Sequence, residues 1–183
     1  MEINYSDTHR DLVERSKKGQ QKAQYQLYKL YSKAMFNICI RMMNNKEDAE
    51  DTLQEAFSEA FQKLDSFRYE SSFGAWLKRI VVNRCINNLK KKQADLLYVD
   101  NLHKLDRNEE TDETNEEEIQ YSVSKIMNAL SKLADGYRVI FSLYLLEGYD
   151  HTEISCILGI SESTSKSQFL RAKKKLIEIM QQN

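Results

Sequence analysis

The sequence predicts an all-α protein, built as two small helical domains joined by a flexible acidic linker. Three observations lead there. The 183 residues include no proline and only five glycines, whereas β-rich folds need frequent tight turns that lean on both. Apolar residues recur at the three- and four-residue spacings of helix faces over two separate stretches. Between those stretches, residues 106–118 hold eight acids against Arg107 alone. Like charges repel, and such a run has little apolar area to fold around, so it reads as linker. The expected boundaries are 1–92, 93–120 and 121–183.

The first helix is expected over 20–44. Leu27, Tyr31, Ala34, Ile38 and Met42 share one face, and Tyr28, Met35, Phe36, Cys39 and Met43 widen it, so the helix should be largely buried. Asn44-Asn45 is its stop. The next helix covers 47–64, with Leu53, Phe57, Ala60, Phe61 and Leu64 inward. Its outward stripe is Asp48, Asp51, Glu55 and Glu59, and the nearest cation in sequence is Lys46. Early acids suit the positive end of a helix, which explains the first turn of that stripe only. A polar loop, DSFRYESS (65–72), leads into a helix over 73–92 whose core side is Phe73, Leu77, Ile80 and Val81. A different face carries Trp76, Arg79, Asn83, Asn87 and Lys90.

The second domain reads as four helices. Ile126, Leu130 and Leu133 mark one; Tyr137, Ile140, Phe141, Tyr144 and Leu145 mark another, ending near Gly148. Asp150 and Glu153 have capping-box spacing and open a short helix with Ile154, Ile157 and Leu158 inward. Gly159 ends it and Ser161 caps the last helix, so these two helices and their short turn form a helix-turn-helix. On the last helix Phe169, Ala172 and Leu176 face the core. Thr164, Ser167, Leu170, Arg171 and Lys174 face away, flanked by Lys166, Lys173 and Lys175.

Charge is segregated along the chain. The acidic run carries a net −7 and the whole chain −1, which leaves +6 on the remaining residues. Residues 78–92 alone hold six cations and no acid. The basic final helix, with small hydroxyls at its start, suits entry into a DNA major groove and contact with phosphates. The Trp76 face mixes one aromatic ring, two amides and two cations, the chemistry of single-strand binding and base opening. A tryptophan at helical spacing is more often core than a base platform, and it is the surrounding Arg79, Asn83, Asn87 and Lys90 that favour the platform. Four acids on one face of a nucleic-acid-binding chain would repel phosphate, so a basic protein partner explains them better than solvation alone.

Enzyme classes find no support in the motifs. His9, His103 and His151 are far apart and lack metal-binding spacing, and no glycine-rich phosphate loop is present. No cofactor or metal is implied, and His151 is expected at the surface. Cys39, Cys85 and Cys156 are expected as three buried, reduced thiols of a cytoplasmic protein. The polar N-terminus lacks an export signal, and no apolar stretch approaches the ~20 residues of a membrane span, so no membrane insertion is expected.

Three segments together resemble the sigma-70 family of RNA polymerase initiation factors, in its small extracytoplasmic-function (ECF) group that has only regions 2 and 4. Residues 45–57 (NKEDAEDTLQEAF) resemble region 2.2. Residues 67–91 (FRYESSFGAWLKRIVVNRCINNLKK) resemble regions 2.3 and 2.4. Residues 145–176 (LLEGYDHTEISCILGISESTSKSQFLRAKKKL) resemble region 4.2. The resemblance implies that Asp48, Asp51, Gln54 and Glu55 meet the coiled coil of the large polymerase subunit. It implies that Phe67, Arg68, Ser71, Ser72 and Phe73, with Trp76, Lys78, Arg79 and Asn83, recognise and open the minus-ten element. Lys166, Ser167, Leu170 and Arg171 would read the minus-thirty-five element, with Thr164 and Lys174 on its backbone. The partners implied are core RNA polymerase and promoter DNA, duplex and melted strand, and the family admits an anti-sigma factor. A helix-turn-helix regulator acting without polymerase would account for residues 161–176 but leave the acidic stripe and the Trp76 face unused. A third reading is a purely structural helical adaptor that binds protein only.

Overall fold

A computed structural model describes residues 9–98 and 119–181, and every regular element among them is helical. The acidic run 106–118 lies outside the described residues. The chain divides into two compact units, Met1–Lys90 and Lys91–Asn183.

The N-terminal unit opens with a helix that periodicity does not reveal, α1 (Arg10–Lys17). Two turns are too short for a repeat to show. Val13 and Ser16 are its buried residues, and the Ser16 hydroxyl donates to the Leu12 carbonyl at 2.7 Å. Helix α2 (Gln21–Met43) and α3 (Lys46–Gln62) follow, and α2 packs on both α1 and α3. Asn44 makes the break expected of it by adopting a left-handed conformation, φ 53°, with its N–H on the Ile40 carbonyl. Asn45 then starts α3, its side chain accepting from the Asp48 N–H at 3.1 Å. The buried stripe of α2 holds Leu27, Met35, Ile38, Cys39 and Met42, while Ala34, expected inward, is exposed. Met35, next along and turned by 100°, takes that share of the interface.

A 3₁₀ turn (Leu64–Ser66) and the loop 67–72 lead to α4 (Phe73–Tyr98). Leu77, Val81, Val82, Cys85 and Ile86 are buried along it. Asn88 donates from Nδ2 to the fully buried Thr52 hydroxyl at 3.0 Å, so α4 lies against α3 with that polar group satisfied. At its start, Gly74 leaves room for a ring: a Cβ there would sit 2.9 Å from Cε1 of Tyr31. The helix continues past Lys92, where the linker was expected to begin. Lysine, glutamine, alanine and leucine sustain a helix by intrinsic preference after the apolar repeat has stopped.

The C-terminal unit consists of α5 (Ile119–Ser131), α6 (Asp135–Phe141), a π-helical turn (Ser142–Leu146), α7 (His151–Leu158) and α8 (Glu162–Gln181). Helix α5 thus opens two residues before the expected boundary at 121. Ala129, Leu130, Leu133, Phe141, Ala172 and Leu176 make the core, with Tyr137 and Phe169 packed against it. The wider π turn changes which side chains point inward: Leu143 is fully buried, and Leu145, expected inward, is 52% exposed. Arg138 is buried, donating from Nη1 to the Leu133 carbonyl at 2.7 Å and pairing with Asp135. The capping box of Asp150 and Glu153 is complete, and Gly159 closes α7 at φ 70°.

Two expectations need correction. Cys39 and Cys85 are buried free thiols, but Cys156 is exposed, because α7 buries only Ile154, on its other side. His151 is half-buried rather than superficial. It stacks on Tyr144 at 4.4 Å, meets the edge of Phe169 and bonds through Nδ1 to the buried Ser165 hydroxyl at 2.9 Å.

Two of the glycines of the C-terminal unit, Gly136 and Gly159, should respond oppositely to alanine. Gly159→Ala forces a side chain into the left-handed region and should destabilise the C-terminal unit by roughly 1 kcal/mol. Gly136→Ala, in α6 with ordinary φ and open space around it, should stabilise by up to about 1 kcal/mol. Urea unfolding midpoints check both signs.

Candidate functional site

Three surfaces carry the residues singled out in the sequence, two on the N-terminal unit and one on the C-terminal unit. The first is the outer side of α3. Asp51, Gln54 and Glu55 are exposed and Asp48 is half-buried beside the Asn45 cap. Glu59, expected to continue the stripe, does not face a partner. It accepts from Lys63 Nζ at 2.6 Å and is paired with the Arg84 guanidinium of α4. Hydrogen bonding from Lys63, then from Arg84, holds its carboxyl below the ordinary glutamate range. The cation nearest the stripe in sequence was Lys46; in space, Arg84 and Lys63 claim its far end. Glu55 accepts from Asn88 Nδ2 at 3.1 Å, which fixes its carboxylate while leaving it at the surface.

The second surface is the loop 67–72 with the adjoining face of α4. Phe67 and Phe73 are buried, 4% and 2% exposed, so their rings form the floor of the loop rather than its surface. Half-buried Trp76 packs on both, with centroids 5.2 Å from Phe67 and 5.8 Å from Phe73. The tryptophan is therefore partly core and partly platform. Ser72 spends its hydroxyl as the cap of α4, accepting from the Ala75 N–H at 3.2 Å. Arg68 and Ser71 on the loop, and Arg79, Asn83, Asn87 and Lys90 on α4, are exposed; Lys78 is half-buried. One contributor escaped the sequence reading. Helix α1 grips this loop: Lys17 Nζ donates to the Phe67 carbonyl at 3.0 Å and the Tyr69 hydroxyl donates to Glu14. The only sequence signal was an aromatic ring inside an otherwise polar loop.

The third surface is the outer side of α8. Ser161 begins it with a hydroxyl cluster, accepting from the Thr164 N–H at 3.1 Å and bonding to the hydroxyls of Ser163 and Thr164 at 2.9 and 2.7 Å. Lys166 pairs with Glu162 at 2.6 Å, which lowers the carboxyl and raises the ammonium from their ordinary values. Ser167 donates to the Thr164 carbonyl at 3.0 Å. Leu170, 65% exposed, lies beside exposed Arg171 and Lys174, while Ala172 and Leu176 are buried in the core. Of the flanking cations, Lys175 pairs with Glu178 at 3.2 Å. The helix therefore carries its cations and Leu170 away from the core, as spacing predicted, and exposes Ile177 and Met180 further along.

Among the described residues no cluster of His, Cys, Asp or Glu could hold a metal ion, and no helix is long and apolar enough to cross a membrane. The fold and these surfaces define a helical DNA-binding protein with a helix-turn-helix unit. The family profiles for sigma-70 region 2 and sigma-70 region 4 match residues 27–94 and 124–176. The chain belongs to the sigma-70 family of RNA polymerase sigma factors, in its extracytoplasmic-function group, and is a transcription initiation factor. It is 31% identical to the ECF RNA polymerase sigma factor SigW of Bacillus subtilis over 90% of this chain and 92% of that protein. It is 30% identical to the ECF RNA polymerase sigma-E factor of Escherichia coli over 91% of each. Two solved structures share the fold: RpoE of Bartonella quintana in complex with the anti-sigma factor NepR, and CnrH in complex with the cytosolic domain of CnrY. The first has a TM-score of 0.62 at 24% identity over 86% of this chain and 96% of that one. The second has 0.57 at 23% over 97% and 99%.

The geometry separates the acids of α3 by role. Glu59→Lys places a cation against Lys63 and Arg84, and should destabilise the N-terminal unit by roughly 1–2 kcal/mol, between exposed and buried ion pairs. Asp51→Lys, at an exposed position, should leave the unfolding temperature within about 1 °C of wild type, a shift of a few tenths of a kcal/mol.

Proposed function

We propose that the exposed acids of α3 dock on core RNA polymerase, that the loop 67–72 and α4 recognise and open the minus-ten element, and that α8 reads the minus-thirty-five element in the cytoplasm. The observation that carries the reading is the separation of charge by helix face. On the N-terminal unit α3 exposes Asp51, Gln54 and Glu55, while α4 exposes Arg79, Asn83, Asn87 and Lys90 with Trp76 half-open beside them. A face of cations, amides and a ring favours phosphates and unstacked bases; a carboxylate face favours a basic protein.

The roles divide by exposure. Arg68, Ser71, Arg79 and Asn83 reach outward toward a strand, and Trp76 and Lys78 border them. Phe67, Ser72 and Phe73 hold the loop in place. On α8, Ser167, Leu170 and Arg171 offer hydrogen bonds, an apolar contact and a cation to base edges. Lys166 joins them once it leaves Glu162, while Thr164 and Lys174 suit backbone phosphates. An anti-sigma factor is the third partner we assign, of the kind that RpoE of Bartonella quintana holds in its complex.

Two experiments test the reading. Reversing Asp51 and Glu55 together to lysine should weaken core polymerase binding, each exposed charge pair contributing about 0.2–1 kcal/mol and desolvated pairs more. Duplex binding by the same chain should not change, and undiminished core binding would refute the assignment. On α8, Arg171→Ala should flatten discrimination among minus-thirty-five variants by about 1–3 kcal/mol. Lys174→Ala should weaken all duplexes alike and lower the salt slope by about one unit. Binding to a duplex panel at several salt concentrations measures both, and uniform weakening by Arg171→Ala would make it a backbone anchor instead.

A further inference from the structure

Tyr69 is the residue of the loop whose conformation most needs explaining. Its φ is 61°, in the left-handed region that a bulky side chain rarely adopts. Such a conformation persists only where surrounding contacts over-determine it. Here the contacts come from the Phe67 ring, 4.7 Å away between centroids, and from one face of α1. The Tyr69 hydroxyl donates to the Glu14 carboxylate, the Arg10 guanidinium lies 4.9 Å from the ring centroid and the Lys17 ammonium 4.6 Å from it. Arg10, Glu14 and Lys17 follow the i, i+4, i+7 spacing of a single helix face. Lys17 also donates to the Phe67 carbonyl, so the same face holds the loop at two points.

Helix α1 is itself anchored. Val13 is buried, and α1 packs on α2. It also lies before residue 27, where the match to sigma-70 region 2 begins. Partial burial, followed by the Glu14 contact, pushes the phenol up to about 12, and the hydrogen bond from Tyr69 holds the Glu14 carboxyl below its ordinary range. Both partners therefore keep the protonation states their hydrogen bond needs throughout the neutral range.

We propose that α1 and Tyr69 form a latch that holds the loop 67–72 in the shape required to receive the opened strand, so that Glu14 and Tyr69 are positioning residues for promoter opening. The inference rests on the reading of the loop and α4 given above. Freed from the latch, Tyr69 relaxes toward negative φ, and the flanking Arg68 and Ser71 turn with the backbone. The strain is then a means of preorganisation: the loop waits in one conformation instead of being ordered when the strand arrives.

The test uses holoenzyme assembled from core polymerase and the full chain, with opening of a duplex promoter followed by permanganate reactivity. Tyr69→Phe and Glu14→Gln should each slow opening roughly five- to tenfold, the scale of one ordinary net hydrogen bond. Affinity for core polymerase should stay at the wild-type value. The double variant should be no slower than the slower single one, because both changes break the same bond. In a Tyr69→Gly background, where glycine takes the left-handed conformation unaided, Glu14→Gln should have no further effect. Wild-type opening in the single variants, additive losses, or a parallel fall in core affinity would each overturn the latch. Asn83→Ala is the control for the underlying reading. If it slows opening while the latch variants do not, the latch fails and the reading stands; if none slows opening, the reading falls too.

Discussion

A helix turns once every 3.6 residues, so it can bury one stripe and offer another, and this chain leaves both its partners to whatever the core does not claim. Helix α4 shows how tight that division is. Leu77, Val81, Val82, Cys85 and Ile86 occupy one side of it. Arg84 and Asn88 reach across to α3, and the Trp76, Arg79, Asn83 face is what remains. Helix α8 divides in the same way, with Ala172 and Leu176 inward and Leu170, Arg171 and Lys174 outward. Moving any of these contacts by one residue would turn the outward side chains by 100°.

The same constraint governs charge. A factor that must bind phosphate and a basic protein surface needs acids and cations kept on separate faces, since a carboxylate beside a phosphate contact would weaken it. Glu59 lies where the two faces meet, and the structure neutralises it with Lys63 and Arg84. The ion pair serves as a seam between α3 and α4. It takes Glu59 out of the exposed acids of α3, and it takes Arg84, which also lies 4.0 Å from Glu55, out of the exposed cations of α4.

Chain direction is set by a few residues in left-handed conformations, and each is held differently. Gly159 turns α7 toward α8 without steric cost. Asn44 makes the break between α2 and α3, a residue whose short polar side chain tolerates that region. Tyr69 has neither advantage, and a whole helix contributes to holding it. The loop 67–72 is thus stabilised from α1, distant from it in sequence but adjacent in space.

Sequence alone was enough for the features that depend on neighbours a few residues apart. The Asn44–Asn45 break, the capping box at Asp150, the Gly159 stop, the Ser161 cap and the inward set Phe169, Ala172 and Leu176 are all local or periodic. They were legible for that reason, and with them the all-α class and the helix-turn-helix. Tertiary structure alone decided what depends on residues far apart in the chain. Glu59 looked like a partner-facing acid until Arg84, 25 positions on, came against it. His151 looked superficial until Ser165 and Tyr144 enclosed it. Phe67 looked like loop surface and became, with Phe73, its floor, and α1 was too short for any repeat to announce. Periodicity reports which way a side chain points from its own helix; only packing reports what it meets there.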